Sequence, residues 1–112
     1  MLVVTRFRVP VDETAEFQTA LEEALAALAA QPGHLEGRLG RNVDDPELWV
    51  LQTRWVGPGA YRRALSAYDV KMRAWALLGR ALDEPTAFEL LAPGERSNQP
   101  RPRGDDQPQA VP

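Results

Sequence analysis

The sequence predicts an α+β fold in the order β-α-β-β-α-β, with one four-stranded antiparallel sheet. Three observations carry this. The chain opens on strand-like alternation, and two further strand-like runs stand side by side in its middle. Two long stretches of helical period separate that pair from the first and last strands. Breakers rich in Pro, Gly and Asp mark the junctions.

Leu2 to Val9 alternates and is β-branched. Val3, Thr5, Phe7 and Val9 fall on one side, Leu2, Val4, Arg6 and Arg8 on the other. Pro10 ends the strand. Asp12 suits a helix N-cap, with Glu13 and Glu16 at the positive end of a helix running to about Ala30. Phe17, Leu21, Ala24 and Leu28 form its apolar face, and Gln31-Pro32-Gly33 stops it. His34 to Val43 reads as a second strand and Glu47 to Val56 as a third. Asp44-Asp45-Pro46 turns between them in an antiparallel hairpin.

Gly57-Pro58-Gly59 breaks the chain, and a proline is tolerated where a helix starts. Ala60 to Leu82 has helical period, with Tyr61, Leu65, Tyr68, Met72 and Trp75 on one stripe. Asp69 suggests a second N-cap, hence a bend near Ala67-Tyr68. Asp83-Glu84-Pro85 ends the helix, and Thr86 to Ala92 reads as a fourth strand. This order is the ferredoxin-like arrangement.

The 112 residues suffice for one domain, spanning residues 1–92. Residues 93–112 hold five of the ten prolines and almost no large apolar side chain. Such a stretch buries too little to offset its ordering entropy, so disorder is expected there. At 44% hydrophobic and 26% charged the composition is that of a globular protein. The formal charge of −3 and the scattering of twelve arginines argue against nucleic acid. No run approaches the ~18 apolar residues of a membrane span. The apolar N-terminal run is too short for a signal peptide, and cysteine is absent, which suits a cytoplasmic protein. One histidine and no cysteine leave no evident metal site and no thiol nucleophile.

Apolar residues occupy both sides of the strands, among them Val3, Val4, Phe7, Trp49, Val50 and Phe88. Helices cover only one face of such a sheet, so a partner sheet is expected on the other. A two-fold homodimer is the simplest assembly. In that reading Trp49 lies at the dimer interface and Trp75 in the helix core.

Four segments carry a resemblance: Pro32-Gly33-His34-Leu35, Asp44-Asp45-Pro46, Arg54-Trp55-Val56 and Ala60-Tyr61-Arg62-Arg63-Ala64-Leu65. In that strand order they resemble the antibiotic biosynthesis monooxygenase family, part of the dimeric α+β barrel superfamily. The resemblance covers about Leu2 to Leu91. It implies an oxygenase that turns a planar, polyketide-like phenol into a quinone with O2 and needs no metal or organic cofactor. The alternatives are an aromatic-ligand-binding or accessory dimer without chemistry, and a polyketide cyclase on the same barrel. Similar enzymes use an Asn, a Trp and a Tyr, the last two six residues apart. Trp55 and Tyr61 match that pair. The Asn position falls at Leu51, which cannot hydrogen-bond through its side chain. Haem-degrading relatives use an Asn in the first strand and a His at the place of Ala64, and this chain has neither.

The candidate site residues each carry two readings. Trp55 and Tyr61 could orient the substrate and stabilise its anion, or simply anchor the core. Tyr68, near the expected bend, could line the pocket. His34 is the only acid–base side chain that titrates near neutral pH, although a strand start suggests exposure. Arg6 and Arg54 could hold a phenolate or carboxylate oxygen, or pair with a carboxylate such as Glu89 across the sheet.

Overall fold

The computed structural model describes residues 1–96. Four strands, β1 (Leu2–Arg8), β2 (His34–Arg41), β3 (Leu48–Trp55) and β4 (Ala87–Phe88), form one sheet in the order β2-β3-β1-β4. All pairings are antiparallel, so the architecture is the expected ferredoxin-like α+β fold. The helices are α1 (Thr14–Ala29), α2 (Pro58–Leu65), α3 (Tyr68–Arg73) and α4 (Trp75–Leu78).

The register decides which side chains meet. Phe7 stands opposite Trp49, Thr5 opposite Leu51 and Val3 opposite Thr53. Because side chains alternate across a strand, these six residues share one face. All six are buried, as is Trp55 at the end of β3. Helix α1 lays Phe17, Leu21, Ala24 and Leu28 against that face. Phe17 packs edge-on against Phe7 at 5.3 Å and against Trp49 at 5.6 Å. Truncating a phenylalanine buried like this costs about 3–5 kcal/mol. Trp49 therefore belongs to the helix-covered core and not to the expected dimer interface.

The start of α1 differs from the expected Asp12 cap. A 3-10 turn, Val11–Glu13, precedes the helix, and Glu13 N–H donates to Pro10 carbonyl at 2.9 Å. Proline fixes the backbone there, so the chain begins to coil before Asp12 can act as a cap. At the other end Gly33 has φ +90°, and a β-carbon there would strike Ala60. The sharp return into β2 therefore requires glycine.

The second helical stretch is broken twice. Ala67 is extended (φ −68°, ψ 140°), which gives the expected bend, and Ala74 (φ −127°) adds a second break. Each break rotates the next helix relative to the one before it, so the apolar stripe does not persist. Val70, Ala74 and Leu77 face the core, whereas Tyr68, Met72 and Trp75 are exposed. Trp75 is thus not the helix-core residue its spacing suggested.

The last strand is two residues long, not seven. Only Leu2 with Phe88 and Val3 with Ala87 are paired, and Leu90 and Leu91 are exposed. Ahead of it, residues 82–86 run along the edge of β1. Leu82 N–H donates to Arg6 carbonyl at 2.9 Å, and Val4 N–H to Thr86 carbonyl at 2.7 Å. Residues 93–96 make a local turn, with Glu95 N–H donating to Ala92 carbonyl. The remainder of the expected tail lies outside the described residues. Among the described residues no helix is long and apolar enough to cross a membrane.

Among the described residues no helix lies over the other face of the sheet. Leu2, Val4, Val50 and Phe88 lie there between ion pairs. Arg6 reaches Glu84, not Glu89, in a two-pronged pair at 2.7 and 2.8 Å. Glu36 accepts from Arg38 at 2.8 Å and from Arg54 at 3.4 Å. These pairs hold the carboxyls of Glu84 and Glu36 below the usual carboxylate range. The same contact with Glu84 raises the Arg6 guanidinium. Partly exposed pairs of this kind contribute little net stability.

Candidate functional site

The junction between β3 and α2 builds the site. Trp55 is the last residue of β3, and its side chain is almost wholly enclosed. Its indole N–H donates to Thr53 Oγ1 at 2.8 Å, two residues earlier on the same strand. Both residues point toward the helices, so a buried tryptophan finds its required acceptor next door. Gly57 and Pro58 then turn the chain, with Pro58 in the first turn of α2. Ala60 and Ala64 bring that helix close to the sheet. Tyr61 consequently lies against Trp55, ring centroids 5.5 Å apart at 52°.

His34 occupies the other side of Trp55. The two are register partners on β2 and β3, and their rings meet edge-on at 5.0 Å and 89°. Gly37 makes the room, since a β-carbon there would collide with Leu25 and crowd His34 Nε2. That nitrogen is buried without a hydrogen-bond partner, as is Trp49 Nε1. Burial pushes the imidazole below its ordinary value. The exposure expected of His34 is therefore wrong for its ring tip: the bulge between His34 and Glu36 turns the side chain inward.

Tyr61 opens onto a cavity of about 360 Å³ between β1 and the second helical stretch. Its walls are Thr5, Tyr61, Leu65, Trp75, Leu78, Gly79, Ala81 and Thr86. None of these side chains is charged. The polar groups are three hydroxyls, from Thr5, Tyr61 and Thr86. Trp75 contributes its ring only, because its N–H donates to Leu65 carbonyl at 2.9 Å. Burial pushes the Tyr61 phenol up, so it remains a proton-bearing donor at neutral pH. The size and mostly apolar lining suit a flat organic ligand held by a few hydrogen bonds. A second cavity of similar volume lies at the β4 edge, between Val56, Pro58, Arg62, Phe88 and Leu90.

The structure brings together three of the six candidate residues, His34, Trp55 and Tyr61. Only Tyr61 lines the cavity. Trp55 stands behind it, and His34 behind Trp55. Tyr68 is 77% exposed and lines neither cavity, because the break at Ala67 swings it outward. Arg6 and Arg54 lie on the uncovered sheet face, engaged with carboxylates. Sequence reasoning missed Thr5. Its signal was a lone hydroxyl in the apolar stripe Val3, Phe7, Val9, which the alternation already placed on the buried side. It missed Trp75 and Thr86 as cavity residues because helix breaks and edge segments leave no periodic trace. Among the described residues no group of three acidic, His or Cys side chains could hold a metal ion.

The family model for antibiotic biosynthesis monooxygenases matches residues 1–71. The chain belongs to that family. The match takes in Thr5, Trp55, Tyr61 and Leu65, and the cavity wall from Trp75 to Thr86 lies beyond it. SnoaB from Streptomyces nogalater, described as a cofactor-independent oxygenase, superposes with a TM-score of 0.66 at 27% identity. That match covers 84% of this chain and 96% of SnoaB. An asparagine-to-alanine variant of SnoaB matches at 31% identity over 72% of this chain and 82% of its own, with a TM-score of 0.64. Rv0793 from Mycobacterium tuberculosis shares the fold at 22% identity and a TM-score of 0.62, covering 87% of this chain and 97% of its own. Comparison with curated proteins finds no match.

Proposed function

We propose that this protein is a cofactor-independent monooxygenase that oxidises a planar aromatic phenol, of polyketide type, to a quinone with O2. The observation that carries the reading is the Tyr61-lined cavity, uncharged, mostly apolar and backed by Trp55. Family membership and the likeness to SnoaB support it.

The chemistry rests on the substrate as the source of electrons. Loss of a proton gives an electron-rich anion, which passes one electron to O2. The two radicals recombine to a peroxide at the reacting carbon, and loss of water leaves the quinone carbonyl. One substrate and one O2 thus give one quinone and one water. Among the described residues no cavity-lining group is a base at neutral pH, so the proton leaves to solvent at the cavity mouth. The protein's contribution is to donate hydrogen bonds to the anion and to exclude bulk water. Tyr61 is the donor, and Trp55 is the positioning residue that fixes its ring. Tyr68, Arg6 and Arg54 have no part in this version of the site, and His34 acts only by packing Trp55.

A homodimer joined through the uncovered sheet face completes the proposal. The half-exposed Leu2, Val4 and Val50 and the exposed Phe88 support it. A cytoplasmic setting is consistent with a chain that has no cysteine. A second reading, binding or cyclisation without oxygen chemistry, draws support from Leu51, which stands where similar oxygenases carry an Asn and offers no side-chain hydrogen bond.

The test is oxygen uptake by the metal-free protein with an anthrone-type phenol. Equimolar oxygen loss and quinone gain support the oxygenase. Binding without uptake moves the assignment to the second reading.

A further inference from the structure

Thr5 is 5% exposed and sits at the centre of β1, opposite Leu51. Its hydroxyl takes part in no hydrogen bond among the described residues, yet it is not one of the sealed unpartnered atoms, which are His34 Nε2 and Trp49 Nε1. The open space it meets is the cavity it lines with Tyr61. A hydroxyl this deep with no protein partner is left to bond whatever occupies the cavity, water or a ligand. Its neighbour Thr53 is the contrast. That hydroxyl, on the adjacent strand and equally deep, accepts from the Trp55 indole. Thr53 is therefore explained by the fold, and Thr5 is not.

Resting on the aromatic-ligand reading of this cavity, we propose that Thr5 is a specificity-determining residue that hydrogen-bonds an oxygen substituent on the ligand. The ligand class is a planar aromatic bearing a hydroxyl or carbonyl, bound without a counter-ion. A threonine hydroxyl both donates and accepts, so it serves a phenol, a ketone or a phenolate. Thr5 is the one lining residue that lies in a strand, which leaves the strand side of the cavity to it. Apolar walls alone cannot distinguish an oxygenated ring from its hydrocarbon, whereas a buried hydroxyl that needs a partner can.

The experiment is equilibrium dialysis of the full chain against 1-naphthol and naphthalene, for wild type, Thr5→Val and Thr5→Ser. Valine keeps the shape and the strand preference and deletes only the hydroxyl. The wild type binds 1-naphthol more tightly than naphthalene. Thr5→Val weakens 1-naphthol about tenfold, leaves naphthalene unchanged or tighter, and keeps or raises the melting temperature, as expected when an unpartnered polar group is removed. Thr5→Ser restores most of the preference. Equal 1-naphthol affinity in wild type and Thr5→Val overturns the role of Thr5 while leaving the cavity assignment in place. Parallel loss of both ligands with a lower melting temperature also overturns it, since it marks a packing role. Failure of the wild type to bind either compound overturns the aromatic-ligand reading itself.

Discussion

The indole N–H of Trp55 donates to the hydroxyl of Thr53 at 2.8 Å, inside the protein and on the same strand. Trp55 therefore does not offer its N–H to the cavity, and its influence on a ligand passes through the ring of Tyr61. Thr53→Val leaves the indole N–H buried and unsatisfied, which destabilises the fold by about 1–3 kcal/mol. Chemical denaturation at neutral pH measures this. An unchanged midpoint shows that the bond contributes nothing to the native state.

His34 makes stability depend on pH in a defined window. Burial lowers its folded pKa below the ordinary value of 6.5, so the unfolded chain binds the proton more readily. The contribution is present above that value and is lost as pH falls through it. The chain has one histidine, and carboxylates with lowered pKa act at more acid pH. The melting temperature therefore drops between about pH 7 and 5, and His34→Leu flattens that slope. An identical slope in the variant removes His34 as its source.

Much of this architecture is legible in the sequence, and the places where it is not share a physical cause. Alternation over Leu2 to Val9 assigned Val3, Thr5, Phe7 and Val9 to one face, and all four are buried on the helix side. Trp49 lies in the core and not on the uncovered face, and Trp75 lies at the cavity rim and not in the core. Cross-strand parity with Phe7 puts Trp49 in the core, and parity is fixed by register, which pairs residues far apart in the chain. Trp75 and Tyr68 leave the core because backbone breaks at Ala67 and Ala74 reset a helical stripe that reads as continuous. The Trp55–Tyr61 junction was visible because it is local: one strand end, one Gly-Pro-Gly turn and one helix start. The cavity was not, since its walls come from β1, α2, α4 and the segment beyond α4.

The uncovered sheet face makes the dimer testable. Val50 lies near its middle, between Arg6 on β1 and Gly40 on β2. If two sheets meet there, Val50→Glu places a charge at the centre of an apolar contact and separates the subunits. Sedimentation at micromolar concentration gives a dimer mass for the wild type and a monomer mass for the variant. A monomeric wild type refutes the assembly.

Tyr61 is the one family-matched phenol that faces the cavity, and burial pushes its already high pKa further up. The deciding measurement is the rate of quinone formation from an anthrone-type phenol by wild type and Tyr61→Phe, with melting temperatures taken alongside. The expected result is a fall in kcat of at least about tenfold, the loss of one charge-stabilising hydrogen bond, with the fold intact. A variant that turns over at the wild-type rate contradicts the assignment of this cavity as the active site.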